Sequence, residues 1–410
     1  MYIRLPPELW GKVAYALRKT NAESLRRKTR EEWTSENQSL LALCLTSKMF
    51  NGEAVPALWS EVIISAKVDL AVLDARASPI LAQLEQSDFH YATYMKRLSI
   101  LHVDTIHGDH WPPIVPLPSL TSTLERILTA CRNLDCLRIY CNNDTIPILN
   151  HLSTLIFPRL KMLRLGIRLN NSQLNDIVSN FLLAHPGLLE VRLGEGTGTS
   201  VWKRMRESNP LPLVNRFEGT LAQLLMFSQP KTLCILRVSR SNPRGSHDSR
   251  PSIIRQLNRL PNPFVGVTHI TFALHPIPLD TLDILQTVAD TFPSLVVLDG
   301  FGVSADFIEF IQHGIKNVKR ISSRLPKLRG LVIYEMVSRT IHSRWEFYEF
   351  QTPSEMTMEQ AFSRLLRLFP ALREAKHVRK YLREEIVREM KVIYSKKGME
   401  VMRGERRTTA

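Results

Sequence analysis

The fold of this chain is decided by a phrase that reads FPRLKMLRL at residues 157–165 and HPGLLEVRL at residues 185–193. In each copy an aromatic residue or a histidine and then a proline precede three apolar positions spaced Leu-x-x-Leu-x-Leu or Leu-x-x-Val-x-Leu. The last two of these positions are two residues apart, so they lie on the same face of a strand. The phrase therefore predicts a short strand with one buried face.

Copies of this phrase recur at irregular intervals. The first leucines at 134, 160 and 188 are 26 and 28 residues apart, and those at 295 and 328 are 33 residues apart. A first strand is expected at 62–64 and a weaker copy at 267–272. The remaining copies lie at residues 98–103, 134–139, 233–238, 292–298 and 325–333.

The segments between the copies have the 3.6-residue period of amphipathic helices. Their apolar residues follow i, i+3, i+4 and i+7 spacing, and the proline that comes next lacks a backbone donor and ends the helix. The three clearest stripes consist of Leu174, Ile177, Val178, Phe181 and Leu182, then Leu282, Leu285, Val288, Ala289 and Phe292, then Phe362, Leu365, Leu366 and Phe369.

Strands that alternate with helices predict an α/β fold. No single unit could bury its own apolar stripe, whereas stacked units would share one continuous core. The variable spacing is compatible with an irregular leucine-rich-repeat-like α/β solenoid with insertions, which we assign to residues 63–375. A compact α/β domain whose units only resemble repeats is the alternative, and the sequence leaves it open.

Three short helical pieces precede the repeats within residues 1–62. Pro6 or Pro7 suits the first helical position, Ser39 could cap the second helix, and Asn51-Gly52 is expected to stop it. A bundle this small buries only about 60% of its surface. Its many leucines and tryptophans therefore either dock onto the rest of the chain or bind a partner.

This N-terminal segment resembles an F-box, in particular the fungal type. The matching elements are Leu-Pro-Pro-Glu-Leu at 5–9, a leucine-rich helix at 40–45, Ser-Lys-Met-Phe at 47–50 and Leu-Trp at 58–59. The charged stretch at 19–38 is longer than the usual first connection of that family and is expected to be a loop or a helix extension. The resemblance implies a three-helix F-box domain at residues 1–62.

An F-box implies docking onto the Skp adaptor subunit of a cullin-based SCF ubiquitin ligase, with the solenoid presenting an unknown target protein. The residues that the resemblance assigns to Skp binding are Leu5, Pro6, Leu9, Trp10, Leu41, Leu43, Leu45, Phe50, Leu58 and Trp59. Trp345, Phe347 and Tyr348 lie in an aromatic insertion and are candidate contacts to the target, because aromatic side chains are common interface anchors.

The C-terminal segment, residues 376–410, is strongly basic. Val378, Leu382 and Ile386 keep a narrow apolar stripe at helical spacing. We therefore expect a basic helix that caps the last repeat, followed by a disordered tail.

Composition restricts the cellular setting and the partners. The 410-residue chain has a formal net charge of +15 and five cysteines. An odd number of scattered cysteines favours a reducing compartment, the cytoplasm or the nucleus, and no run of apolar residues is long enough to predict a membrane span. Because the lysines and arginines are spread between leucines, nucleic acid is not the expected partner. A basic leucine-rich scaffold that binds nucleic acid or an acidic complex is nevertheless the alternative function.

No residue pattern predicts an enzyme, a cofactor or a metal site. The spacing of His102, His107 and His110 matches no common metal site. Three cysteines recur every five residues from Cys131 to Cys141 and are expected to be buried. The glycine-rich stretch at 194–198 lacks the Lys-Ser/Thr ending of a phosphate-binding loop.

Overall fold

The computed structural model describes most of the chain. The described residues are 30–46, 48–67, 70–103, 117–140, 146–167, 169, 172–194, 199–228, 231–239, 250–261, 263–273, 277–278, 282–302, 315–337, 358–369, 371–381, 386–395 and 398–407. They form a mixed α/β structure, as the sequence predicts. The chain divides into two compact units, Met1–Ile167 with Asn180–Leu188, and Arg168–Ser179 with Leu189–Ala410.

The first unit contains a helical pair followed by alternating strands and helices. A 3-10 helix at His90–Tyr94 precedes the second strand, and helix α6 (Ser172–Ala184) is divided between the two units. The other elements are α1 (Arg30–Thr46), α2 (Lys48–Trp59), β1 (Glu61–Lys67), α3 (Leu70–Gln86), β2 (Arg97–Val103), α4 (Pro118–Ala130), β3 (Cys136–Tyr140), α5 (Ile146–Thr154) and β4 (Met162–Leu165).

The second unit continues the alternation and ends in three long strands. A 3-10 helix at Gln223–Met226 follows its second strand. The other elements are β5 (Glu190–Leu193), α7 (Thr199–Ser208), β6 (Arg216–Gly219), β7 (Ile235–Val238), α8 (Arg250–Leu257), β8 (His269–Phe272), β9 (Ile277–Pro278), α9 (Leu282–Thr291), β10 (Val297–Gly302), α10 (Ile315–Arg324), β11 (Gly330–Val337), α11 (Met358–Leu368), β12 (Glu374–Tyr381), β13 (Ile386–Ser395) and β14 (Gly398–Arg407).

Within each unit the strands pair in chain order. Strands β1 to β4 are all parallel to their neighbours in the first unit. In the second unit β5 to β8, β10, β11 and β12 form the parallel part, β9 pairs with β10, and β13 and β14 add antiparallel strands at the end. Chain-ordered parallel pairing is the arrangement that repeated strand–helix units produce.

Most of the parallel strands begin with the same backbone arrangement. The carbonyl that precedes one strand accepts two successive N–H groups at the start of the next strand, as Ser60 O does from Lys96 and Arg97 at 3.0 Å each. Val296 O accepts in the same way from Arg329 and Gly330 at 2.8 and 3.0 Å. The repeat is therefore visible in the hydrogen bonds as well as in the leucines.

The alternation of apolar residues predicted the buried face correctly. Leu137 and Ile139 of β3 are buried, as are Leu163 and Leu165 of β4, while the residues between them are partly exposed. The copies of the phrase coincide with β2, β3, β4, β5, β7, β8, β10 and β11, and the expected first strand coincides with β1. These strand predictions are confirmed.

The predicted helix boundaries near the N-terminus were wrong. Ser39 lies inside α1 and Asn51-Gly52 lies inside α2, so Ser39 caps no helix and Asn51-Gly52 stops none. Packing between α1 and α2 outweighs the local preference against glycine, which is worth only about 1 kcal/mol.

The predicted C-terminal helix was also wrong. Residues 374–381 form β12, which pairs with β11 over eight residues, and β13 and β14 follow where a helix and a disordered tail were expected. The edge of β11 provides backbone partners that a sequence pattern does not reveal, and valine and isoleucine are common in this segment and favour strands. The domain boundaries proposed after residue 62 and after residue 375 stay predictions.

Strand β10 contains a conformation that requires glycine. Gly300 has a φ of 96°, and the pairing register between β10 and β11 shifts at this residue. A Cβ at this position would approach the Phe272 carbonyl oxygen to 2.0 Å. The glycine therefore permits a β-bulge in β10, next to the residues of β10 that pair with β8. Among the described residues, no helix is both long and apolar enough to cross a membrane.

Candidate docking surfaces

The helices α1 and α2 share a small hydrophobic cluster. Leu40 and Cys44 lie one turn apart on α1, and Ala54 and Ala57 face them from α2. All four side chains are buried, and the small alanines let the two helices approach closely. Leu43 and Leu58, both predicted Skp contacts, pack against this cluster and are partly buried.

Two leucines of α1 do not enter the cluster. Leu41 is 50% exposed and Leu45 is 78% exposed. They are four residues apart, so they lie on the same face of the helix. This pair is the exposed apolar part of the predicted docking set within the described residues.

Trp59 connects the helical pair to the first strand. Its ring stacks on Tyr91 with centroids 5.2 Å apart and an angle of 23° between the planes. Ser60 follows directly, and its carbonyl accepts the two N–H groups at the start of β2. The α1–α2 pair is thus continuous with the βα units through an aromatic contact and without a long linker.

The rest of the predicted docking set lies outside the described residues or side chains. Leu5, Pro6, Leu9 and Trp10 precede the first described residue, and Phe50 belongs to α2 but its side chain is not described. The candidate target contacts Trp345, Phe347 and Tyr348 also lie outside the described residues. Their roles stay predictions.

The strand face of the second unit carries a charged row in which one glutamate lies between two arginines. Arg192 of β5, Glu218 of β6 and Arg237 of β7 are partners in register. Glu218 Oε1 is 3.2 Å from Arg192 Nε and 3.5 Å from Arg237 Nε. Sequence reasoning missed this row because β6 lacks the leucine phrase; its single large apolar residue, Phe217, was the only signal.

A different set of exposed cations lies on two helices and two turns of the second unit. Its members are exposed lysines and arginines on α10, at the end of α11 and in the turns before β11 and β12. We call these residues the basic edge: Lys319, Arg320, Lys327, Arg329, Arg367 and Arg373. The sequence did not reveal this cluster, because its residues are scattered over more than fifty positions.

Cys131 and Cys136 of the first unit are not activated nucleophiles. Burial raises the pKa of the Cys131 thiol to about 12. Burial also raises the pKa of the Cys136 thiol, although Arg138, Arg164 and Arg97 oppose this shift. Both thiols are therefore protonated at neutral pH. Both side chains are buried, as the sequence predicts. Cys141 lies outside the described residues.

His185 is a structural histidine. Its Nε2 accepts a hydrogen bond from the Phe157 N–H at 2.9 Å, so Nδ1 carries the proton and donates to the Phe181 carbonyl at 2.7 Å. Burial lowers the pKa of His185, although the bond to Phe181 opposes this shift. The neutral imidazole joins helix α6 to the turn before β4.

The searches for metal ligands and for related proteins add no further site. Within the part of the chain that the structure describes, no three histidine, cysteine, aspartate or glutamate residues lie together in a way that could hold a metal ion. His102 is buried on β2, and His107 and His110 lie outside that part. Comparisons with protein-family models and with curated proteins find no match to this chain.

Proposed function

We propose that this protein is a substrate-recognition adaptor of an SCF-type ubiquitin ligase. The observation that carries the proposal is the α1–α2 pair, which exposes Leu41 and Leu45 on one helix face and leads directly into a chain-ordered ladder of βα units. A separate helical docking element in front of a repeated binding surface is the layout that an F-box followed by an irregular leucine-rich-repeat-like solenoid would have.

In this proposal the N-terminal helices bind the Skp subunit and the solenoid binds the target protein. The adaptor would act by proximity, holding the target near a ubiquitin-charged conjugating enzyme, and would perform no chemistry itself. The position of the target relative to the conjugating enzyme would depend on a firm connection between the N-terminal helices and the repeats. The stacked rings of Trp59 and Tyr91 would contribute to this connection.

The test is direct binding of purified Skp subunit to one double variant and to one control variant. Leu41→Ala with Leu45→Ala removes the exposed pair without touching the buried cluster. An apolar anchor at an interface is worth about 2 kcal/mol or more, so we expect the Skp affinity to fall about thirtyfold or more. Leu213→Ala is the matched control, because Leu213 is 51% exposed on the second unit.

A pull-down with cullin tests the complete ligase. Retrieval of cullin by the full-length protein, but not by a variant without residues 1–62, would extend the result to it. Skp binding without cullin would contradict the ligase part of the proposal. Failure of the folded, full-length protein to bind Skp would contradict all of it.

A further inference from the structure

The repeat architecture brings the basic edge together. Arg373 N–H donates to the Arg329 carbonyl at 2.8 Å, so these two residues occupy equivalent positions before adjacent strands. Lys327 lies in the turn that leads to Arg329, and α10, which carries Lys319 and Arg320, packs beside α11. Arg367 lies in the last turn of α11, close to the same end of the unit.

The neighbouring carboxylates are already engaged with other cations. The described carboxylate side chains of α9, α11 and β12 are Asp290, Glu359 and Glu374. Asp290 pairs with Arg324, which is not part of the basic edge. Glu359 pairs with Arg403 at 2.8 Å and Glu374 with Lys391 at 3.0 Å. Among the described residues, therefore, no carboxylate neutralises any of the six cations.

Helix capping does not account for the whole cluster. A cation in the last turn of a helix is stabilised by the helix dipole, which explains Arg367. Lys327, Arg329 and Arg373 lie beyond the ends of the helices and gain little from this effect. Six exposed cations with no carboxylate partner among the described residues produce a positive potential that attracts an anionic partner.

The surroundings of the basic edge favour nucleic acid over protein. Among the side chains that the structure describes between residues 315 and 381, no large apolar one is exposed. Protein interfaces usually have an apolar centre, whereas interfaces with nucleic acid are polar and strongly positive. All six residues are lysine or arginine, the side chains that most often contact the phosphates of nucleic acid.

We propose that the basic edge binds the phosphate backbone of duplex nucleic acid without sequence preference. This site is independent of the proposed adaptor function, since it lies on the second unit and involves no residue of the N-terminal helices. Its affinity depends on the number of phosphates that lysine and arginine neutralise, so it falls steeply as salt rises.

The experiment measures fluorescence anisotropy of a labelled 20-base-pair DNA duplex, and of an RNA duplex, between 50 and 200 mM salt. The test variant combines Lys327→Gln, Arg329→Gln and Arg373→Gln. The control combines Arg192→Gln, Arg204→Gln and Arg237→Gln, which removes the same charge from arginines that already have carboxylate partners. All substituted positions are on the surface, and thermal melting confirms that both variants are folded.

We expect the test variant to reduce the log–log salt slope by about 3 and to weaken binding at least tenfold, whereas the control changes affinity less than threefold. Equal effects of the two variants would overturn the proposal, since binding would then depend on net charge alone. Failure of the wild-type chain to bind either duplex at 50 mM salt would also overturn it. So would tight, Arg329-dependent binding of polyglutamate without duplex binding, which would assign the edge to an acidic protein.

Discussion

The turn at His185 in the first unit and the turn at Phe292 in the second unit have the same backbone and different chemistry. Leu188 N–H donates to His185 O at 3.3 Å, and Leu295 N–H donates to Phe292 O at 3.2 Å. Both side chains are buried at the same repeat position. Phe292 contacts the Phe264 ring, with centroids 5.7 Å apart, whereas His185 both stacks on Phe181 at 4.0 Å and forms two hydrogen bonds.

The comparison separates two kinds of information in a repeat. The position determines that the side chain is buried, and the residue at that position determines whether the turn is held by packing alone or also by polar bonds. Four predictions follow from this difference, and they decrease in expected size.

The largest effect is expected from Phe292→Ala. The phenyl ring is fully buried, so its removal leaves a cavity and should cost about 3–5 kcal/mol of unfolding free energy. Chemical denaturation monitored by circular dichroism measures the loss. Phe292→Leu is the control and should cost clearly less, because it refills most of the volume. A loss below about 1 kcal/mol for the alanine variant would mean that the turn does not depend on this packing.

His185→Ala should cost somewhat less, about 2–4 kcal/mol. The imidazole is smaller than a phenyl ring, but its removal also leaves the Phe157 N–H and the Phe181 carbonyl without their partner. The same denaturation experiment applies. If His185→Ala were as stable as wild type, neither the packing of the imidazole nor its two hydrogen bonds would contribute to stability.

His185→Phe gives the first turn the same buried phenyl ring that the second turn has at Phe292. The packing volume is kept, so the main loss is the acceptor for the buried Phe157 N–H, which costs about 1–3 kcal/mol at neutral pH. Equilibrium denaturation at pH 7.5 measures the difference from wild type. A stabilised variant would show that apolar packing at this position outweighs the polar bonds.

The sequence predicted both turns because each combines an aromatic or imidazole side chain with a following proline and the leucine phrase. The strands that follow were predicted for a simple physical reason: alternation of apolar residues specifies which face is buried. The bonds of His185 were not predictable, since its partner Phe157 is 28 residues away and the contact exists only after helix α6 packs.

Other elements depended on contacts that no local pattern encodes. Strand β6 has one large buried apolar residue, Phe217, and is held by the neighbouring strands β5 and β7. Val378 of β12 shares with Leu382 and Ile386 a spacing that also fits a helix, and pairing with the edge of β11 decides the conformation of β12. The basic edge could not be predicted from the sequence, because only the pairing of successive strands places Arg329 beside Arg373.

The docking set was predictable only as a resemblance. Leu40 is buried between α1 and α2, whereas Leu41 is exposed. Adjacent residues of a helix point in different directions, and the pattern of leucines does not show which direction faces the partner helix. The position of the partner helix makes this distinction, and that position is a tertiary property.

The smallest expected effect is a pH dependence that belongs to the first turn alone. Burial lowers the folded-state pKa of His185 below its ordinary value near 6.5. As the pH falls through about 6.5, the unfolded chain therefore takes up a proton before the folded chain does, and the free energy of unfolding decreases, by at most about 1.4 kcal/mol per pH unit for one proton. His185→Phe has no proton to take up, so its stability should fall less between pH 7.5 and pH 5, and the difference between the two proteins should shrink on acidification. Denaturation curves at several pH values measure this difference, which cancels the contributions of all other titrating groups. A difference that stays constant with pH would mean that the folded chain accommodates a charged imidazole at this turn, and the contrast with Phe292 would then be one of hydrogen bonding without a contribution from charge.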